Sequence, residues 1–275
     1  MFLTKFKCLA RYSAVMIPVL LLQIAACLLF LTVWADDLYV VNDRYFFLLR
    51  YLIVSMMGIA LGALCYLIPI ERLNRRWSNT KSKIMLLGGV GAAFLGTWTL
   101  PWLLGDPYTR HVWHDWFHPY EAMETFGWGI LYRWRIFEDA LWLGETNAAM
   151  GDTAGYLRGE SNGGILEYIL LRTGIVPFIL LLLLLAGFVA ALFYCALKRT
   201  ENGFGKALSL SIAIYFALNA LCKLSNMFYL LPPLPRFPLA LLEYNRLAIV
   251  FHLCLLGLFL RAMRDPSTVP LLAKQ

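Results

Sequence analysis

Six long apolar runs divide the chain, separated by short polar segments and one long mixed segment. They cover about Tyr12 to Trp34, Phe46 to Ile70, Ile84 to Leu104, Ile165 to Leu197, Ala207 to Leu231 and Arg246 to Met263. A helix needs about 20 mostly apolar residues to cross the hydrocarbon core of a bilayer, and each run is close to or beyond that length. The pattern predicts an all-α polytopic membrane protein with about six transmembrane helices. The fourth run exceeds one upright span and is interrupted by Arg172, Thr173, Gly174 and Pro177. A short outer helix from Ile165 to Leu171, leading into a full span, is expected there, with proline as the breaker.

Composition supports this reading. Hydrophobic residues make up 60% of the chain and charged residues 15%, against about 25% charged in a soluble domain. The net charge of +7 is not a surface stripe for nucleic acid, because the basic residues sit in short runs between apolar segments. Lys5, Lys7 and Arg11 precede the first run, and Arg72, Arg75, Arg76, Lys81 and Lys83 follow the second. Lys198, Arg199 and Lys206 follow the fourth, and Arg261 and Arg264 end the sixth. In a six-span count all four clusters fall on one side, which the positive-inside rule makes cytoplasmic. The chain is therefore expected to be N-in and C-in, and multi-pass. The first run passes without an A-x-A-type exit, so a retained span is expected rather than a cleaved leader. The six cysteines include no CxxC motif and imply no disulfide framework.

Four regions follow. Residues 1–104 carry the first three spans, and 105–164 form a large periplasmic loop. Residues 165–263 carry the last three spans, and 264–275 form a cytoplasmic tail. The loop is dense in aromatic residues, including Trp113, Trp116, Phe117, Trp128, Trp134 and Trp142, which predicts amphipathic helices at the membrane interface.

Candidate chemistry is sparse. His111, His114 and His118 surround Asp115, and on a helix His111, Asp115 and His118 share one face. Such spacing suits zinc, although water-facing histidines on an interfacial helix account for it as well. Lys223 lies inside the fifth span, with Asn219 one turn before it and Asn226 nearly one turn after. Ionisable groups inside a span are costly and mark function by default, while a lysine near a helix end also snorkels. Partner candidates for Lys223 are Glu243, Glu167 or an anionic lipid head group. His252 is expected to be a hydrogen-bonded packing residue. The outer loop offers carboxylates at Asp106, Glu138, Asp139, Glu145, Asp152 and Glu160, any of which could act as a general base, and spacing alone picks none. No P-loop, dinucleotide fingerprint or nucleophile elbow occurs, and no cofactor is expected.

The landmarks of the second half carry a family likeness. The chain reads Glu160-Ser161-Asn162-Gly163-Gly164-Ile165, then Leu171-Arg172-Thr173-Gly174 before a long apolar run. Asn219-Ala220-Leu221-Cys222-Lys223 follows, and that span ends Tyr229-Leu230-Leu231-Pro232. Next comes Pro238-Leu239-Ala240-Leu241-Leu242-Glu243-Tyr244-Asn245-Arg246. In order and spacing this resembles the C-terminal half of the SEDS family, the RodA-, FtsW- and SpoVE-like peptidoglycan polymerases, over about Ile84 to Met263. The resemblance implies a glycosyltransferase acting on an undecaprenyl-linked sugar, paired with a single-span partner. It also makes Lys223, Asn219, Arg172, Glu243 and Arg246 candidates for binding lipid or substrate. The family's catalytic aspartate, however, falls on Gly164, and its S-Y-G-G turn reads Glu243-Tyr244-Asn245-Arg246. The family's ten spans are reduced to about six.

The expectation is therefore a degenerate, non-catalytic SEDS-like membrane subunit or scaffold of envelope and peptidoglycan biogenesis. It would pack against another membrane protein, a single-span chain or a multi-subunit complex, within the lipid bilayer. An active transferase using Asp152 or Glu160, and a small transporter or channel component, are the alternatives.

Overall fold

The computed structural model describes residues 2–32, 44–68, 107–118, 137–138, 140–144, 165–198, 203–228, 239, 241–242 and 246–263, with scattered positions at 84–104, 120 and 230. Seven helices are defined among them: α1 (Phe2–Thr32), α2 (Arg44–Tyr66), α3 (Pro107–Phe117), α4 (Ile165–Thr173), α5 (Ile175–Lys198), α6 (Gly203–Phe228) and α7 (Arg246–Ala262). Four are long and apolar enough to cross a membrane: α1, α2, α5 and α6. The shorter α7 is apolar too. The chain is an all-α, multi-pass membrane protein. The third expected span, Ile84 to Leu104, is described only at scattered positions, among which the residues from 84 to 103 are helical.

The apolar residues sort into two faces. On α1, Val15, Val19, Leu22, Ala26 and Leu29 are buried at spacings of three and four, and Ile17, Leu20, Ile24 and Leu28 point outward. This periodicity puts one stripe on the core, and the outward stripe suits lipid, where exposed backbone would be intolerable but exposed leucine is not. The same division holds on α5, where Phe178, Leu181, Leu185, Phe188 and Leu192 face inward.

Five of the helices close a ring. α1 touches α5 and α2, α2 touches α7, α7 touches α6, and α6 touches α5. Phe188, Phe216 and Phe259 are fully buried in the shared core, and Phe188 meets Phe216 edge-on at 5.2 Å between centroids, a favoured aromatic geometry. α4 sits against α5 and α6.

The tightest contact is between α2 and α7. Gly58 and Gly62 form a GxxxG pattern on α2, and small residues at this spacing let helix backbones approach in a membrane. A methyl group added at Gly62 would lie 2.6 Å from the Leu253 carbonyl oxygen, and one at Gly257 would collide with the Gly62 carbonyl. Two hydrogen bonds pin the ends of this pair. Tyr51 donates its hydroxyl to the Leu241 carbonyl at 3.2 Å, holding the turn before α7 where Leu241 has φ 61°. Arg261 donates Nε–H to the carbonyl of Ile68, just past the C-terminus of α2, at 2.9 Å.

The fourth apolar run is broken within the expected stretch, at Gly174 and not at the proline. α4 ends at Thr173 and α5 begins at Ile175, with Gly174 between them at φ 88°. Pro177 stands in the first turn of α5, where a missing N–H breaks no helical bond. The break is made by Gly174 and by the docking of residues 141–144. Ile175 and Val176 donate their N–H groups to the Leu141 and Trp142 carbonyls at 2.9 and 3.1 Å, and Gly144 donates to the Thr173 carbonyl at 3.1 Å. These bonds occupy backbone groups that two abutting helix ends would otherwise leave unpaired. A Cβ at Gly174 would lie 2.8 Å from the Leu143 Cα, so glycine is required both for its φ and for the approach.

Candidate functional site

Helix α6 carries a polar stripe through its apolar length. Ser211, Tyr215, Asn219 and Lys223 follow one another at four-residue steps, with Asn226 three further on. That spacing stacks side chains on one face over about 18 Å from Ser211 to Lys223, at about 1.5 Å per residue. The stripe faces the protein: Asn219 is 1% and Lys223 3% exposed, and Ser211 is also buried. Ser211 returns its hydroxyl to the Ala207 carbonyl at 2.9 Å, the usual local solution for a hydroxyl inside a helix.

Helix α7 supplies His252, 1% exposed. Its Nε2 lies 3.2 Å from the Tyr215 hydroxyl, and its ring lies 5.3 Å from that of Phe216. His252 is thus a hydrogen-bonded packing residue, the role expected of it. Asn219 lies beside the same Tyr215 hydroxyl. His252 Nδ1 and Asn219 Nδ2 are buried with no hydrogen-bond partner among the described residues. Helix α4 adds Glu167, wholly buried on a helix that touches α6, while Arg172 near its end is half-buried. The structure therefore gathers three of the singled-out positions, Glu167, Asn219 and Lys223, onto two contacting helices. Lys223 is not a snorkelling side chain with its head in water.

The other candidates separate. Asp152, Glu160 and Glu243 lie outside the described residues, as does the side chain of Arg246, whose backbone opens α7. The histidine cluster lies on α3, away from the polar stripe in the chain. Asp115 is 1% exposed and held between two exposed histidines, His111 at 3.5 Å and His114 at 3.4 Å. His118 instead stacks against His114, with ring centroids 5.0 Å apart. The segment is helical as that spacing requires, and the two histidines that bracket Asp115 are His111 and His114. Among the described residues no three metal-ligating side chains are arranged to hold a metal ion. Trp113 and Trp116 flank Phe117 on this helix, with centroids 6.4 and 4.8 Å away, in keeping with an interfacial element.

Two polar residues of consequence escaped the reading of the sequence. Tyr215 precedes Asn219 by one turn on the same face, which is a visible signal. Gln23 is an amide within the first apolar run, and polar residues there deserve the same suspicion as Lys223. Comparison with known protein families, curated proteins and solved structures finds no match to this chain.

Proposed function

We propose that the chain is a non-catalytic, SEDS-like subunit of a membrane complex in envelope and peptidoglycan biogenesis, residing in the bacterial inner membrane and working by packing against another membrane protein. The observation that carries this reading is the burial of the polar stripe. Glu167, Asn219, Lys223 and His252 are each at most 3% exposed. A general base must reach the hydroxyl it deprotonates, directly or through one water, and groups so enclosed meet no extended sugar polymer. Tyr215 and His252 join α6 to α7 through one hydrogen bond, and Glu167 lies buried on α4, which touches α6. The order of elements also suits the resemblance: a short outer helix, a break, a long span, a polar span and a final span. Glycine at position 164, where the family's aspartate falls, cannot take a proton.

A turnover assay tests this. The full chain in nanodiscs, given an undecaprenyl-linked disaccharide, is expected to form no polymer. Polymer formation that disappears in Asp152→Ala or Glu160→Ala would establish the active transferase instead.

One observation favours a second reading, a transporter or channel component. His252 Nδ1 and Asn219 Nδ2 are unpartnered among the described residues, and bound water would satisfy them. Proteoliposome flux that falls in Lys223→Ala would favour it, and flux indifferent to that change removes it.

A further inference from the structure

A cavity of about 430 Å³, partly open to the surface, lies between α1 and the α2–α7 pair. Its walls include Met16 of α1, Ile59 and Ala63 of α2, and Leu253 and Gly257 of α7. Tyr12 and Tyr66 stand at one end, their hydroxyls 3.4 Å apart. Tyr12 opens the apolar stretch of α1 and Tyr66 closes that of α2. This end therefore lies at the hydrocarbon boundary, where tyrosine is favoured. Gln23, Ile59 and Leu253 mark the inner end. The Gln23 amide nitrogen is enclosed and plays no part in what the groove admits.

Depth separates the occupants. From Tyr12 to Gln23 the groove follows α1 for about 16 Å, at about 1.5 Å per residue. One leaflet is half of a hydrocarbon core about 30 Å thick, so the groove is one leaflet deep. A membrane-spanning helix needs a seat about twice as long, whereas a single acyl chain occupies one leaflet. Met16, Ile59 and Ala63 are exposed along the mouth, so a chain enters sideways from the bilayer.

Charge selects the headgroup. Each helix that lines the groove is flanked by basic residues at its tyrosine end. Lys5, Lys7 and Arg11 precede Tyr12, Arg72, Arg75 and Arg76 follow Tyr66, and Arg264 follows α7. The acidic residues of the same segments are Glu71 and Asp265. Lys5 stands in the helical register of Tyr12, Met16, Val19 and Gln23 on α1. Juxtamembrane basic clusters of this kind attract anionic lipid.

We propose that this groove holds one acyl chain of an anionic glycerophospholipid, with its headgroup at the basic end beyond Tyr12 and Tyr66. The site needs no partner chain, so it stands or falls apart from the subunit reading. The test uses the full chain in phosphatidylcholine nanodiscs doped with a phosphatidylglycerol that carries a diazirine on one acyl chain. Adducts are expected on the peptides holding Met16 and Ile59, well above those on the peptide holding Leu183, which is exposed on α5. A phosphatidylcholine probe with the same tail is expected to label all three alike. Ala63→Leu and Met16→Trp fill the groove from exposed positions. Each is expected to lower labelling of the unchanged wall at least about tenfold, the worth of roughly two buried methylenes. Unchanged labelling at Leu183 then shows that the helices still fold. Lys5→Gln and Arg11→Gln are each expected to lower the preference for phosphatidylglycerol roughly fivefold. Equal phosphatidylglycerol adducts at Leu183, labelling that survives both fillings, or a preference untouched by the charge changes would each overturn the proposal. Displacement of the probe by a polyprenyl phosphate and not by unlabelled phosphatidylglycerol would overturn it too.

Discussion

Gly257 and Gly187 are both helical glycines in apolar spans, and they should behave differently. A methyl group at Gly257 would collide with the Gly62 carbonyl, whereas one at Gly187 meets nothing within 4 Å. Gly257→Ala must push α7 off α2, and overpacking of this kind costs about 1–3 kcal/mol. Gly187→Ala should be neutral or slightly stabilising, because alanine is the better helix former by about 1 kcal/mol. Thermal unfolding of the two variants in the same detergent checks this, and equal melting temperatures would mean that α2 and α7 are not in backbone contact. Tyr215→Phe belongs to the same scale. It removes one interhelical hydrogen bond to His252, of a kind worth about 0.6 kcal/mol on average in a membrane. A small fall in melting temperature is expected, and a loss of several kilocalories would assign Tyr215 more than packing. The glycine seam was legible in principle, since Gly58 and Gly62 stand four apart in an apolar run. The partner surface on α7 was not, because nothing in the sequence brings Gly257 beside Gly62 across almost 200 residues.

At the scale of elements, the spans were the most legible feature. A run of apolar residues long enough to cross a bilayer has few alternatives, so α1, α2, α5 and α6 emerge close to their expected bounds. The break in the fourth run was also visible, but its cause was misassigned. Proline is the familiar breaker, yet Pro177 falls in the first turn of α5, and the chain turns at Gly174. What the sequence hid is the docking of residues 141–144, a contact made some thirty residues away. Gly174→Ala is therefore expected to be strongly destabilising, because it opposes both φ 88° and the Leu143 approach, with at least about 1–2 kcal/mol from the backbone conformation alone. Pro177→Ala should change stability by less than about 1 kcal/mol. Unfolding of both variants separates the two accounts, since a proline-driven break would reverse their order.

For the whole molecule, the ring of α1, α2, α7, α6 and α5 explains why polar residues survive inside it. The α6 stripe and His252 lie where helices face helices, while the lipid side of each span is plainly apolar. Lys223 and Asn219 could be singled out from sequence because charge and amide stand out in an apolar run. That Glu167 lies buried on a helix touching theirs needed the contact of α4 with α6, which is tertiary information. Asp152, Glu160 and Glu243 remain sequence candidates, and the turnover assay bears on the first two. The central claim is that this chain is one part of a membrane complex. Purification from its native membrane in mild detergent, followed by native mass measurement, tests that most directly. The account predicts a mass exceeding that of the 31.4 kDa chain by a second membrane protein in fixed stoichiometry. A chain recovered alone, free of any partner and polymerising a lipid-linked disaccharide by itself, would contradict it.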